Sequence, residues 1–543
     1  MVNLNPAEFE SIVARERAAS GTGTTIVVPL AVRLIADQLT PTIAYRRLVA
    51  PDDRAAPSFL LESVEGGERQ GRYSILGARP RDMFLAKEDQ ATHRDLRGVR
   101  GERTGPCEDP FEMLRAFSRE RRLAPAPGTP GCVLGGLFGY AAYDSVRYAN
   151  PGKLPWDAAP LDDLHLPDLC FAYYDTLVVF DHAQRGVYVI ALADVGPREA
   201  PGWAYAEALA RLDGVVRMLD EHSEPLRTGF MPGVGAAGAV TSNLTRAQHA
   251  SIVDRAMGYI RAGDVFQVVL GQRFERTSDA DPFDVYRALR CVNPSPYMVY
   301  MQCEGCVLVA SSPEILCRVR RSGAGLEVTN RPLAGTRRRG KTGDEDAALE
   351  QELLADPKER AEHIMLVDLG RNDVGVVARP GTVRLPAVME VERYSHVMHI
   401  SSTVTGVLRD GLDCWDALRA ALPVGTISGA PKVRAMQVID ELEPVRRGPY
   451  GGGIGYVGLD GQMDVALTLR TMVVPLARVA FEPGGARRWT YLLQASGGIV
   501  ADSNAEAEYQ ETVNKTAGLG RAVDVAEAAF MPNKSPSSGP NNV

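Results

Sequence analysis

Two pairs of carboxylates stand three residues apart in this sequence. Glu359 and Glu362 lie in "KERAEHIMLVDLGRND" (358–373), and Glu508 and Glu511 in "SNAEAEYQETVNK" (503–515). On an α-helix, positions i and i+3 share a face, so each pair aims two carboxylates in one direction. Lys515 falls on the same face as Glu508 and Glu511. Four carboxylates with no cysteine and few histidines beside them favour a hard cation bound through oxygen, such as Mg²⁺. Mg²⁺ keeps several of its waters, so two direct glutamates and two outer ones suffice. E-x-x-E on its own fits a solvated helix surface equally well, and both readings stand at this level.

The flanking sequence dictates how such pairs are held. Asp356-Pro357 reads as a helix start, with Asp at the N-cap and Pro at the first helical position. Asn504 is a second N-cap, and a Gly-rich strand end, "QASGG" (494–498), precedes it. "LPVGTISGAPKVRAM" carries a Gly-Thr-x-Ser-Gly turn, after which Pro431-Lys432 opens a helix. Its N–H groups and positive end suit an anion. "RGPYGGGIGYVG" is too rich in glycine for a plain packed strand and would let backbone approach a ligand. "VALTLRTM" puts Arg470 in an apolar strand, a candidate carboxylate clamp. In "VFQVVLGQRF", strand alternation places Phe266, Val268 and Leu270 on one face and Gln267 on the other. Lys432, Arg470 and Lys515 beside an acidic cradle fit a small polyanion held together with Mg²⁺.

Bulk properties narrow the class. The 543 residues are 45% hydrophobic and 24% charged, the composition of an ordinary globular protein of two to four domains. A net charge of −8 gives no bulk reason to bind nucleic acid or an anionic membrane. No apolar run approaches the roughly 20 residues needed to cross a bilayer, and the N-terminus lacks a signal-peptide core. The expectation is a cytoplasmic protein. Eight scattered cysteines fit reduced thiols. Cys303 and Cys306 form one C-x-x-C with no second half to complete a zinc set, and Glu304-Gly305 between them reads as a hairpin tip.

Residues 1–225 form a β-rich half. Its short runs "TPTIAYRRLV", "PSFLLESV", "GRYSILG", "DTLVVFDH" and "GVYVIALA" read as strands, and the helical "AYAEALARLDGVVRMLDEH" closes it. Residues 226–244 are the linker candidate. Residues 245–528 open with a Thr245/Gln248 capping box and then mix strands with helices in no regular βαβ series. An α+β fold on antiparallel sheet follows. The tail 529–543, "AFMPNKSPSSGPNNV", is Pro, Ser and Asn rich and is expected to be disordered.

With these residues in view, the sequence resembles the chorismate-utilising enzymes, and within them the large subunits of anthranilate synthases. The resemblance runs from about residue 40 to 520 and rests on many long motifs in one order. They include "FLLES", "GRYSILGARP", "GDVFQVVLGQRF", "NPSPYMVY", "SSPEIL", "RPLAGTRRRG", "AEHIMLVDLGRND", "HISSTVTG", "GTISGAPKVRAM", "RGPYGGGIGY" and "GGIVADS". It implies an antiparallel sheet core interleaved with a β-rich regulatory half. It also implies Mg²⁺ as cofactor, with Glu362 and Glu511 as inner ligands and Glu359 and Glu508 acting through water. Tyr450, Arg470 and Lys515 would bind substrate carboxylates with the backbone of Gly497 and Gly498, and Thr426 would lie beside the ring. Ser496 departs from the alternating Ala-Gly pattern of many members. Glu314 matches the general acid that protonates a departing hydroxyl. His399 matches the histidine implicated in pyruvate elimination.

Two positions choose among branches. Water-adding relatives carry Lys where Gln267 stands, and a neutral amide suits ammonia instead. Relatives making the para-amino product carry Lys in a "PIKGT" motif, whereas "PLAGT" here has Ala334, which cannot capture the ring covalently. Ortho amination is therefore expected, with ammonia drawn from glutamine by a separate amidotransferase subunit in a hetero-oligomer. The chain runs on too briefly after its last helix to include that domain. Glu62 and Ser63 in "LLES", with Asn293, Pro294, Ser295, Pro296, Tyr297 and Met298, resemble the family's tryptophan feedback site, although "NPSPY" alone is also a rigid turn. Competing classes are aminodeoxychorismate or isochorismate/salicylate synthases, an unrelated Mg²⁺-dependent hydrolase, and a non-catalytic tryptophan-sensing module. The last has no use for Glu314 and His399.

Overall fold

A computed structural model describes residues 1–531, apart from 21–22, 52, 66–68, 99–100, 222–224, 234–237, 395–396 and 483–486. Two large sheets carry the fold, one of 14 strands and one of 12. Their strands pair antiparallel, save for the short parallel pairing of Thr25–Leu34 with Arg121–Leu123. The sheets pack face to face. Phe59 of the larger stacks on Phe138 of the smaller with ring centroids 4.1 Å apart, inside an apolar cluster drawn from both. The other face of the larger sheet is covered by the helices Pro6–Ala19, Pro41–Leu48, Pro201–Asp220, Pro282–Val292 and Ala505–Phe530.

Each sheet takes strands from both sides of the 226–244 segment. Ser58–Glu62 lies between Tyr73–Ala78 and Tyr297–Cys303, with Glu62 opposite Met298. Gly136–Ala141 lies between Leu169–Tyr174 and Gly453–Gly458. The division is thus one of sequence and not of sheets, and motifs from the two halves meet in a common framework.

The helices that carry the acid pairs begin where their caps dictate. Asp356 accepts from the N–H groups of Lys358 and Glu359 at the head of Pro357–Val377. Asn504 does the same for Glu506 and Ala507 at the head of Ala505–Phe530. Thr245 and Gln248 close their capping box. Cys303 and Cys306 face each other across the hairpin Tyr297–Cys303 / Cys306–Ser312, and Gly305 at its tip takes φ +77°.

Several expectations are corrected. "TPTIAYRRLV" is not a strand: Thr40 caps Ile43, Pro41 sits in the first turn, and the helix Pro41–Leu48 buries Ala44, Tyr45 and Leu48. Its β-type residues lose to a strong start signal and helical apolar spacing. Phe266 does not share a face with Val268 and Leu270; it precedes the strand Gln267–Ser278 and is 77% exposed. The glycines of "GGGIGYVG" build a packed central strand, Gly453–Gly458, and serve its neighbour. A Cβ on Gly455 would lie 2.2 Å from the Asp464 carbonyl oxygen. Arg470 lies between strands, in the left-handed region at φ +46°. Of the tail, residues 529 and 530 still belong to the last helix and 532–543 lie outside the described residues.

Candidate active site

The two capped helices bring their acid pairs together beside the end of strand Arg487–Ile499. Gly497 and Gly498 lie there, opposite Leu270 and Val269 of strand Gln267–Ser278. At both positions the ends of functional side chains come close to the backbone. A Cβ on Gly497 would meet Glu508 Oε2 at 2.9 Å, and one on Gly498 would meet Gln267 Nε2 at 2.4 Å and Glu362 Oε1 at 3.7 Å. Burial, then the neighbouring Glu359 and Glu511, push the Glu362 carboxyl above its ordinary range, against the bond from Gln267. Burial also raises Glu508, with Glu511 adding to it. Arg337 pairs with Glu359 at 3.2 Å, and Lys515 with Glu511 at 2.6 Å.

This donor set fits a hard cation. All four ligating groups are carboxylates. Their mutual repulsion is felt by Glu362 and Glu508, and Glu508 Oε2 is buried with no hydrogen-bond partner. A divalent cation would relieve both. As they stand, no three ligating side chains converge closely enough to enclose an ion among the described residues. The Lys515 ammonium engages one Glu511 oxygen and the Gln267 amide one Glu362 oxygen.

Gln267 is 2% exposed. Its Nε2 donates to Glu362 Oε1 at 3.0 Å, which turns its carbonyl oxygen the other way, buried and without a partner. The amide therefore carries a buried, unmatched acceptor and is not a base.

Glu314 follows the strand Cys306–Ser312 and is 5% exposed. Burial pushes its carboxyl up to about 8, against the lowering effect of its bonds from Thr426 and the Leu333 backbone. Thr426 Oγ1 donates to Glu314 Oε1 at 3.0 Å from the 3₁₀ turn Gly425–Ile427. No arginine pairs with Glu314 among the described residues, so this is a carboxylic acid that keeps its proton near neutrality, as a general acid must.

His399, in strand Val397–Val407, lies 3.1 Å from the Gly335 carbonyl oxygen through Nδ1. Nδ1 also lies 3.0 Å from the Thr336 hydroxyl; in the tautomer that donates from Nδ1 to the carbonyl, which only accepts, Nε2 is the basic nitrogen. Burial and then the nearby Arg470 push the imidazole down to about 4. Tyr394 packs edge-on against the ring, centroids 5.7 Å apart. Arg470 itself is half-buried and pairs with no carboxylate among the described residues. Burial lowers its guanidinium below the usual range, with only Tyr394 opposing. A desolvated, unneutralised guanidinium is a receptor for a carboxylate.

Tyr450 is buried with its hydroxyl 2.6 Å from Ser496 Oγ, so Ser496, the departure from the Ala-Gly pattern, supplies that tyrosine's partner. Lys515 Nζ also donates to the Ser496 carbonyl at 2.8 Å. Lys432 is drawn away: its ammonium pairs with Asp373 at 2.6 Å, so the helix Lys432–Leu442 offers no free lysine at its start.

Of the residues compared with a feedback site, Glu62, Ser63, Pro296, Tyr297 and Met298 line a cavity of about 1050 Å³ that Glu314 and Tyr394 also line, whereas Asn293, Pro294 and Ser295 do not line it. Glu62 accepts from the Tyr286 hydroxyl at 2.7 Å and pairs with Arg290 at 2.8 Å. The Tyr297 hydroxyl donates to Asp464 at 2.8 Å. Arg337, Tyr394, Ser311 and Ser312 also contribute here and were not singled out by sequence. Only "RPLAGTRRRG" and "SSPEIL" hinted at three of them.

The family description "chorismate binding enzyme" matches residues 56–520. Anthranilate synthase alpha subunit 1, chloroplastic, of Oryza sativa subsp. indica is 48% identical over 542 residues, covering 96% of this chain and 93% of that protein. Anthranilate synthase component 1 of Thermus thermophilus is 46% identical over 503 residues, covering 91% of this chain and 98% of that protein. Among solved structures, anthranilate synthase component I from Streptococcus pneumoniae superposes with a TM-score of 0.69 at 33% identity, over 90% of this chain and 99% of that one. The menaquinone-specific isochorismate synthase of Escherichia coli shares the fold at 18% identity, with a TM-score of 0.65 over 95% of this chain and 98% of that one.

Proposed function

Since the chain belongs to the chorismate-binding enzyme family, we propose that it is the large subunit of an anthranilate synthase, making anthranilate, pyruvate and water from chorismate and ammonia. The observation that carries this choice is Gln267. Its amide is held by Glu362 with a buried, unmatched carbonyl oxygen. Ammonia can donate one N–H there and keep its lone pair for the ring. Water at the same place would need a base, and an amide is not one.

The remaining groups divide the work. Arg470, Lys515 and the backbone at Gly497 and Gly498 bind the substrate's carboxylates, with Tyr450 braced behind them and Thr426 beside the ring. Glu362 and Glu511, with Glu359 and Glu508 outside them, would hold Mg²⁺. That ion supplies Lewis-acid polarisation at the ring carboxylate. Ammonia adds to the ring carbon next to that carboxylate as Glu314 protonates the leaving hydroxyl, which departs as water. His399 then takes the proton from the aminated carbon as the ether C–O bond breaks, and the enolpyruvate released takes up a proton at its methylene carbon to become pyruvate. After burial, Arg470 and then Lys515 depress His399, so a bound carboxylate that neutralises Arg470 returns part of the imidazole's basicity when it is needed. With Ala334 in place of a lysine, the ring is not captured, and the ortho product follows.

Ammonia would come from glutamine through a separate amidotransferase subunit, and tryptophan would inhibit at Glu62, Ser63 and Asn293–Met298. The substrates are small and polar, and no described helix is long and apolar enough to cross a membrane. We place the enzyme in the cytoplasm, noting that the plant relatives are named chloroplastic. The test is product analysis. With chorismate, Mg²⁺ and ammonium at alkaline pH the chain alone should form fluorescent anthranilate, and with glutamine alone it should not. Isochorismate, salicylate or a para-amino product as the main species would overturn the proposal.

A further inference from the structure

The NPSPYM segment and Arg470 are joined by a short run of hydrogen bonds. Ser311, fully buried in strand Cys306–Ser312, has its hydroxyl 2.9 Å from that of Ser295 and within bonding distance of the Asn293 carbonyl oxygen. Its backbone N–H donates to the Arg470 carbonyl at 3.1 Å. On the far side, the Val64 N–H, next to Ser63, donates to the Ser295 carbonyl at 3.1 Å. The following residue, Ser312, faces the other way along the strand. Its hydroxyl donates to the Leu467 carbonyl at 2.5 Å and accepts from the Glu314 N–H at 3.4 Å.

Arg470 is a non-glycine residue at φ +46°, a conformation that must be imposed by its surroundings. Its guanidinium has no carboxylate partner of its own, so backbone anchors govern where it points. Ser311 is one of those anchors, and its side chain is spent on the Asn293–Ser295 stretch.

We propose that Ser311 is a positioning residue for Arg470, through which the Asn293–Met298 segment sets the placement of the clamp. The inference rests on the readings of Arg470 as the carboxylate clamp and of Asn293–Met298 as the tryptophan segment. A ligand that moves Ser295 pulls on the Ser311 hydroxyl, shifts the end of the strand, and displaces the Arg470 backbone. Affinity for chorismate falls without any change in the chemical groups.

The test is steady-state kinetics with ammonium, with and without tryptophan. Ser311→Ala should raise the KM for chorismate and the half-inhibitory tryptophan concentration by about fivefold or more each, the effect of losing the hydroxyl's bonds to Ser295 and to the Asn293 carbonyl. It should leave kcat near the wild-type value. Ser295→Ala, outside any strand and so less exposed to misfolding, should raise the tryptophan requirement likewise. The double variant should be no worse than Ser311→Ala alone, because the two act through one bond. A merely structural serine would lower thermal stability and leave KM and inhibition alone, and that result overturns the inference. Wild-type protein insensitive to tryptophan would instead overturn the feedback reading, and Arg470→Lys with an unchanged KM would overturn the clamp.

Discussion

Replacing Glu314 by Gln tests the general acid and can be read without turnover. Gln keeps the shape and an oxygen for the Thr426 hydroxyl but removes the titration. The wild-type carboxyl is raised from 4.5 to about 8 by burial. In the unfolded chain the group ionises near 4.5; in the folded chain it keeps its proton until about 8. Between those values the folded state binds the extra proton, so wild-type stability falls as pH rises through that window and levels off above it. At about 1.4 kcal/mol per unit the full loss is about 5 kcal/mol, an upper figure because a carboxyl that ionises draws in water. Thermal unfolding of both proteins from pH 4 to 9 should show their difference widening in favour of Glu314→Gln by a few kcal/mol. A difference independent of pH would mean that the folded carboxyl holds no extra proton, and the reasoning would fail. In activity, with free ammonia held constant, wild-type kcat/KM should fall above pH 8, and Glu314→Gln should lose turnover by roughly two to four orders of magnitude.

Glu362→Gln and Glu511→Gln should each nearly abolish turnover and weaken Mg²⁺ binding, measured by calorimetry, with unchanged circular dichroism; full activity at limiting Mg²⁺ would remove the metal assignment. His399→Phe should pass the amination step and stall at pyruvate release, so chromatography should find an aminated, non-aromatic intermediate, while normal anthranilate formation would exclude the histidine as base. Ser63→Arg should fill one end of the cavity it shares with Met298 and relieve tryptophan inhibition with little change in the uninhibited rate. Gln267→Lys should place a base beside the ring and permit slow water addition, detectable by mass; amination unchanged in rate would deny Gln267 its place at the nucleophile.

Helix caps, acid spacing and hairpin tips were legible because each is a local signal. Asp356, Asn504 and the Thr245/Gln248 box start their helices at the positions their side chains dictate. Positions that depend on neighbours far along the chain were not. Gly455 is glycine because of Asp464 in the next strand, which no window of sequence shows. Lys432 looked free and is held by Asp373, 59 residues earlier. Arg470 read as a strand residue because its neighbours are apolar, whereas the turn between strands is imposed from outside. The role of the Gln267 oxygen emerged only when Glu362, 95 residues on, was seen to hold its nitrogen. Motif resemblance named the candidate groups; it could not say which of their atoms were already spoken for.

The sharing of both sheets bears on how the chain is made. Glu62 cannot reach its partner Met298 until 236 further residues have been synthesised, and Tyr140 waits longer still for Ile454. At roughly 5–20 residues per second, the first of these strands is without one neighbour for roughly 12–47 s on the ribosome. Throughout that interval an apolar strand such as "SFLLE" presents unpaired backbone at an edge, the arrangement most prone to pairing with another chain. Acquiring the native state is therefore a late, chain-wide event, and nascent protein should lean on holding chaperones until residue 458 has emerged. A fragment ending at residue 225 is expected to aggregate when expressed alone; its recovery as a soluble monomer with native-like amide protection would show that the early strands satisfy themselves.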